Sequence, residues 1–258
     1  LSIRIGSDKM DKDEKLAGLA FLLLLGGLGL ASLFIVLFAE LAEEVMDQEV
    51  SLFDDFIING IQASSSTTMD TIMFVFTEMG SVWFLTLSSI IILLVLGVKM
   101  KDKWGVLFFI IAVGGGSLLT LLLKNLYLRE RPSINEEIDA IGYSFPSGHS
   151  MGSLIFYGFV MYLVIRTRQR PWIQWTAVTV LSLLIITIGT SRIYLGAHFP
   201  SDVLAGYIAG LIWLMLNLIA LEWIQWHSKS PVPPVHALRQ LLGPLYKTIR
   251  TKIPFFSK

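Results

Sequence analysis

Residues 16–39 read LAGLAFLLLLGGLGLASLFIVLFA, without a single charge. A helix needs about 20 mostly apolar residues to cross the ~30 Å hydrocarbon core of a bilayer, and this run exceeds that length. One such run can also be a buried core helix, so recurrence decides the matter. Five more follow, at 82–98, 104–123, 149–165, 173–193 and 202–224, and residues 69–76 offer a backward extension of the first of these across Gly80–Ser81. Six runs in 258 residues exceed what a soluble core of that size absorbs, and lipid accounts for them. The first run is too long for a signal-peptide core and has no small-residue cleavage pattern after it, so it counts as a span.

Composition agrees. The chain is 54% apolar and 16% charged, with no cysteine, against about 25% charged in soluble domains. Disorder, nucleic-acid binding and a disulfide scaffold are disfavoured together, and there is no thiolate nucleophile or Cys-ligated metal. The predicted fold is all-α and integral to the membrane, with six transmembrane helices. One domain over residues 1–226 precedes a basic tail at 227–258. Phe53, Phe56, Ile57 and Ile61, with Asp54 and Asp55 between them, predict a short amphipathic helix on the outer surface. In the tail, Leu238, Leu241, Leu242, Leu245 and Ile249 beside Arg239, Lys247 and Arg250 fit a basic interfacial helix broken at Gly243–Pro244, and a frayed terminus fits equally.

Twenty Lys and Arg balance twenty Asp and Glu, but their distribution is uneven. Basic residues precede the first span, separate the second from the third and the fourth from the fifth, and follow the sixth. From residue 40 to 98 there is no Lys or Arg and there are nine Asp or Glu. By the positive-inside rule both termini are cytoplasmic, in a cell membrane, and the connections after the first, third and fifth spans face outward. Lys124, Arg129, Arg131 and Arg192 break the bias.

These four cations accompany the clustered His and Asp of the chain. The third span ends in Lys124-Asn-Leu-Tyr-Leu-Arg-Glu-Arg131-Pro132, Pro146-Ser147-Gly148-His149 opens the fourth, and Ser191-Arg192-x5-His198-x3-Asp202 joins the fifth to the sixth. All three segments fall on the outer face and can converge. Lys124 and Arg131 lie two helical turns apart and can share a ligand if the helix persists to Pro132. Arg supplies a bidentate fork for phosphate oxygens and Lys a point charge. Ser147 and Gly148 stand at a helix start, where free amides attract an anion. Asp202, four residues after His198, can hold one imidazole nitrogen and leave the other free to attack, with His149 as general acid. Each residue also has a plain structural reading: Lys124, Arg131 and Arg192 as headgroup anchors, Ser147-Gly148 as a cap. The cluster on one side favours function, because ionisable residues at membrane depth are costly.

In order and spacing, Lys-x6-Arg-Pro, Pro-Ser-Gly-His and Ser-Arg-x5-His-x3-Asp resemble the signature of the type-2 phosphatidic acid phosphatase superfamily. The resemblance implies a lipid phosphatase without metal or other cofactor. His198 would be the nucleophile forming a phosphohistidine, Asp202 its orienting group and His149 the acid. Lys124, Arg131, Ser147, Gly148 and Arg192 would hold the phosphoryl oxygens, with Arg129 and Tyr127 as secondary candidates. Implied substrates are undecaprenyl diphosphate or phosphatidylglycerol phosphate, with phosphatidate as the alternative; a vanadium haloperoxidase conflicts with six spans. The reading from another class is a phospholipid transporter or binding scaffold. Membrane lipids are the expected partners, and nucleic acid is not one.

Overall fold

The computed structural model describes residues 25–63, 66–132, 142–167 and 170–227, and they are helical apart from short connections. The helices are α1 (Leu25–Met46), α2 (Ser51–Gln62), α3 (Thr67–Glu78), α4 (Val82–Leu94), α5 (Lys103–Tyr127), α6 (Gly148–Arg166), α7 (Pro171–Tyr194) and α8 (Pro200–His227). A π turn, Val95–Lys99, prolongs α4. With it, six helices among the described residues have the length and composition to cross a membrane: α1, α4, α5, α6, α7 and α8. The predicted spans are all present. Residues 69–76 form a separate helix, α3, because the Gly80–Ser81 break starts a new one: Ser81 Oγ accepts from the Phe84 amide at 3.4 Å and caps α4. The first part of the first run, 16–24, and the tail beyond 227, with its predicted interfacial helix, lie outside the described residues.

α6 is the central helix and packs on α5, α7 and α8. Phe109 of α5 meets Phe156 and Phe159 of α6 edge-on, with centroids 6.0 and 5.2 Å apart. Small residues let the helices close. A Cβ on Gly206 of α8 would stand 2.7 Å from the Ser147 carbonyl oxygen, and one on Gly116 of α5 would stand 2.5 Å from Ile155 Cδ1. Close backbone approach of this kind suits lipid-embedded helices, where packing rather than water exclusion drives association. Leu and Ile side chains of α1, α4, α5 and α7 point outward and are exposed, as bilayer-facing residues are. Trp83 lies at one end of the bundle and Trp172, Trp175 and Trp223 at the other, all exposed, where aromatic belts form.

The two ends differ in chemistry. At one end, Asp102 caps α5 through the Gly105 amide at 2.9 Å and accepts Arg166 Nη1 at 2.8 Å. Gln225 Nε2 of α8 adds longer contacts to the same carboxylate. This buried tie joins α5, α6 and α8. Arg166, which the charge pattern counts as a cytoplasmic marker, is thus turned inward. The opposite end carries α2, the C-termini of α5 and α7, and the N-termini of α6 and α8.

Candidate active site

The condition that α5 persist to Pro132 is not met. Leu128 takes a left-handed conformation (φ 53°, ψ 22°) and ends the helix after Tyr127. The chain then turns back, and the Arg129 carbonyl accepts the Ser144 amide at 2.8 Å. Arg131 therefore reaches the site from a reversed strand of loop rather than from the helix face that carries Lys124. Lys124 Nζ donates to the carbonyl oxygens of Tyr143 and, at 3.3 Å, Ser144. Arg131 Nε donates to the Gly142 carbonyl and Nη1 to the Ala197 carbonyl, each at 2.8 Å.

The five-residue spacing between Arg192 and His198 has a local cause. After α7 the chain turns through Gly196, at φ 70°, and the amides of Ala197 and His198 both return to the Arg192 carbonyl, at 3.0 and 3.2 Å. His198 is thereby brought back over the end of α7. Pro200 then starts α8, and Asp202 in its first turn accepts the Phe199 amide at 2.9 Å, in the manner of a capping box.

His198 does not stand on a helical turn with Asp202. Its Nδ1 lies 3.5 Å from Asp202 Oδ2, and the closer link runs through a residue the sequence reading missed. Ser144 Oγ is 3.2 Å from His198 Nδ1 and donates a short bond to Asp202 Oδ2. The other ring nitrogen, Nε2, is 3.2 Å from Arg131 Nη1. Guanidinium nitrogens only donate, so Nε2 must be the acceptor and the imidazole proton sits on Nδ1. The relay then reads Nδ1–H to Ser144 Oγ, and Ser144 Oγ–H to Asp202. Burial pushes the His198 imidazole down to about 4; the nearby Arg131 and Lys124 charges act in the same direction and Asp202 opposes them. The ring is neutral at physiological pH, with its Nε2 lone pair turned toward the cations.

The other expected residues gather at the same end. Ser147 is fully buried; its amide donates to the Asp202 carbonyl at 2.9 Å, and its Oγ accepts from the Ser150 amide at 3.4 Å, so the capping role is real. Gly148 follows, and a Cβ there would stand 3.4 Å from Thr120 Cγ2 and 3.9 Å from Lys124 Cε. His149, on the first turn of α6, has the cations Arg192, Arg131 and Lys124 and the His198 imidazole as its neighbours. Arg192 is buried, donates from Nη1 to Thr77 Oγ1 of α3 at 2.7 Å, and has a buried Nε with no hydrogen-bond partner. Among the described residues neither Lys124 nor Arg192 has a carboxylate within ion-pair distance. Cations held by carbonyls and one hydroxyl, with an orphaned donor among them, leave a positive cluster that suits a polyanion.

Arg129, the fourth misplaced cation, is explained differently. It donates to Asp202 Oδ1 at 2.6 Å from Nη1 and to Asp54 Oδ2 at 3.0 Å from Nη2, and its guanidinium lies 4.2 Å from the centre of the Phe199 ring. Tyr127, the other secondary candidate, packs edge-on against Phe145 and Phe38. Thr77 and Ser144 carried no sequence signal beyond their proximity to motif or break. Asp54 was visible only as one of two acids in an amphipathic pattern.

Residues 104–226 match the PAP2 superfamily. Phosphatidylglycerophosphatase B of Bacillus subtilis is 27% identical over 191 residues, covering 72% of this chain and 91% of that protein. The undecaprenyl-diphosphatase of Sulfolobus acidocaldarius is 27% identical over 135 residues, 52% of this chain and 58% of that one. The crystal structure of a transmembrane PAP2-type phosphatidylglycerolphosphate phosphatase from Bacillus subtilis superposes with a TM-score of 0.68 at 26% identity, covering 76% of this chain and 97% of that chain.

Proposed function

We infer that the chain, whose residues 104–226 match the PAP2 superfamily, is a membrane lipid phosphatase that cleaves its lipid phosphate through a phosphohistidine on His198. The observation that carries this reading is the setting of that imidazole: Nδ1 tied through Ser144 to Asp202, Nε2 only 3.2 Å from Arg131 Nη1. A phosphoryl group drawn in by Lys124, Arg131 and Arg192 meets a neutral nitrogen nucleophile with its lone pair forward.

In the first step the Nε2 lone pair forms the N–P bond while the bond from phosphorus to the leaving oxygen breaks. His149 gives that oxygen its proton. The imidazole becomes cationic, and the Asp202 carboxylate, reached through Ser144, balances the charge. In the second step water attacks phosphorus, His149 takes the water proton, the N–P bond breaks, and phosphate leaves. Charge spread over three equatorial oxygens calls for a preorganised set of donors; Lys124, Arg131, Arg192 and the Gly148 amide at the start of α6 serve in that role, the Ser147 amide being held by the Asp202 carbonyl. These residues supply the positive charge, and we propose a reaction independent of metal.

The site faces the outer side of the cell membrane on this reading, with both termini cytoplasmic and the lipid tail entering from the bilayer. The substrate is phosphatidylglycerol phosphate or undecaprenyl diphosphate, the chemistries named in the two relatives above, with phosphatidate as the broader alternative. The decisive measurement is phosphate release in detergent from all three lipids, with wild type and His198→Ala. Wild type is expected to turn over at least one lipid with no loss in EDTA, and H198A to fall to background. Acid-labile labelling of wild type from a radiolabelled substrate, absent in H198A, identifies the intermediate. Equal turnover by H198A overturns the mechanism, loss in EDTA overturns metal independence, and no turnover by wild type favours a transporter or scaffold.

A further inference from the structure

A helix lying on a membrane surface ordinarily turns its carboxylates to water and its apolar side chains inward. α2 does the reverse at one position. Leu52, Phe53 and Phe56 are exposed, whereas Asp54 is 1% exposed. Burying a carboxylate is costly unless it is fully paired, and Asp54 is. Oδ1 accepts the Ser201 amide at 2.8 Å, and Oδ2 accepts Ser201 Oγ at 2.7 Å and Arg129 Nη2 at 3.0 Å. Both partners lead to the candidate nucleophile's support. Arg129 Nη1 donates to Ser201 Oγ at 2.8 Å and to Asp202 Oδ1 at 2.6 Å, and Ser201 adjoins Asp202 in the first turn of α8.

We propose that Asp54, which lies outside the PAP2 superfamily domain of residues 104–226, is a positioning residue for phosphoryl transfer and acts through Arg129 and Ser201 on Asp202. The proposal rests on the site reading above. Arg129 divides its two terminal nitrogens between two carboxylates. With Nη2 engaged by Asp54, Asp202 receives only Nη1, on Oδ1, and Oδ2 stays available to Ser144, the Phe199 amide and the imidazole. Without the Asp54 charge the guanidinium is free to set both nitrogens on Asp202 in the bidentate geometry that Arg and carboxylate favour. That would rotate the carboxylate away from Ser144 and neutralise it, just where attack makes the imidazole cationic. Asp54 thus keeps Asp202 both aimed and negative. It contributes nothing to phosphate binding.

The test is a double-mutant cycle on the full chain in detergent, using radiolabelled phosphatidylglycerol phosphate and, in parallel, undecaprenyl diphosphate. D54N, near-isosteric and still able to accept from Ser201, is expected to lower kcat on the order of 10- to 100-fold, the size of coupling seen between contacting groups. KM should change by less than about threefold, since bound phosphate is not touched. The exposed neighbour variant D55N should match wild type. In a D202N background the D54N loss should shrink to less than about threefold, because the group through which Asp54 acts has already been altered. Wild-type kcat in D54N, or the same fold loss in both backgrounds, overturns the proposal. Should D54N fail to fold, R129Q breaks the same link from the other side and must show the same dependence on Asp202; an equal loss in both backgrounds again overturns it. Wild-type turnover by H198A would overturn the site reading itself and not this link alone.

Discussion

His198 shows how much a single residue depends on its surroundings. An unperturbed imidazole titrates near 6.5; burial brings this one to about 4. Its nitrogen resonances should therefore keep the neutral pattern from pH 8 down to about 5, with Nδ1 protonated, in a spectrum assigned by H198A. A transition near 6.5 would contradict the buried, cation-flanked setting. The sign for stability follows by linkage. The unfolded chain takes up the proton near 6.5 and the folded one only near 4, so this residue's contribution weakens as pH falls from 6.5 toward 4 and is constant above. Ser144 is the other residue-scale result. Ser144→Ala removes the link between Nδ1 and Asp202 and should cost about 10- to 100-fold in kcat, the worth of a hydrogen bond to a charged group. An unchanged kcat would show that the 3.5 Å approach of Asp202 suffices. The eight signature residues were legible in the sequence as types at fixed spacings. Ser144 was not, because a serine two residues before Pro146 has no periodicity or charge to mark it.

At the scale of elements, the helices were legible in their hydrophobic runs and their ends were not. Lys124 and Arg131 come to the same end of the bundle because α5 stops at Leu128 and the chain doubles back. A left-handed leucine is not announced by residue type, since glycine usually occupies such a position. The approach of α6 to α8 decides how Ser147 and Asp202 meet. A Cβ on Gly206 would stand 2.7 Å from the Ser147 carbonyl oxygen, a backbone atom that cannot swing aside. Gly206→Ala should lower stability by about 1–3 kcal/mol, the usual cost of overpacking, and reduce kcat by displacing the Ser147 amide from the Asp202 carbonyl. Thermal unfolding in detergent together with kcat checks it, and a melting temperature equal to wild type would show that the helices part freely. α3 takes up the residues that the sequence offered as a backward extension of the second span. Its twelve residues are too few to span a bilayer, and instead they bring Thr77 to Arg192.

For the molecule as a whole, the Asp102–Arg166 pair closes one end of the bundle as the candidate site occupies the other. Arg166→Ala would leave the Asp102 carboxylate buried without its cation, expected to cost on the order of 3–5 kcal/mol. Activity measured well below the melting temperature should persist, since no step of the proposed chemistry uses that end. Loss of turnover in a folded R166A would show that the two ends are coupled. What the sequence by itself determined is the solvent and the chemistry. Six long apolar runs admit only lipid, because a backbone in hydrocarbon must satisfy its own hydrogen bonds as helices. Charged residues kept at membrane depth, in a family's order, point to a bound anion. What only the tertiary structure decided is which charges are neutralised and by whom. Arg129 looked like the other cations in the chain and proves to be paired with Asp54 and Asp202, while among the described residues Lys124 and Arg192 have no carboxylate within ion-pair distance. Pairing is set by distances of about 3 Å between residues far apart in the chain, and those distances exist only once the helices have packed.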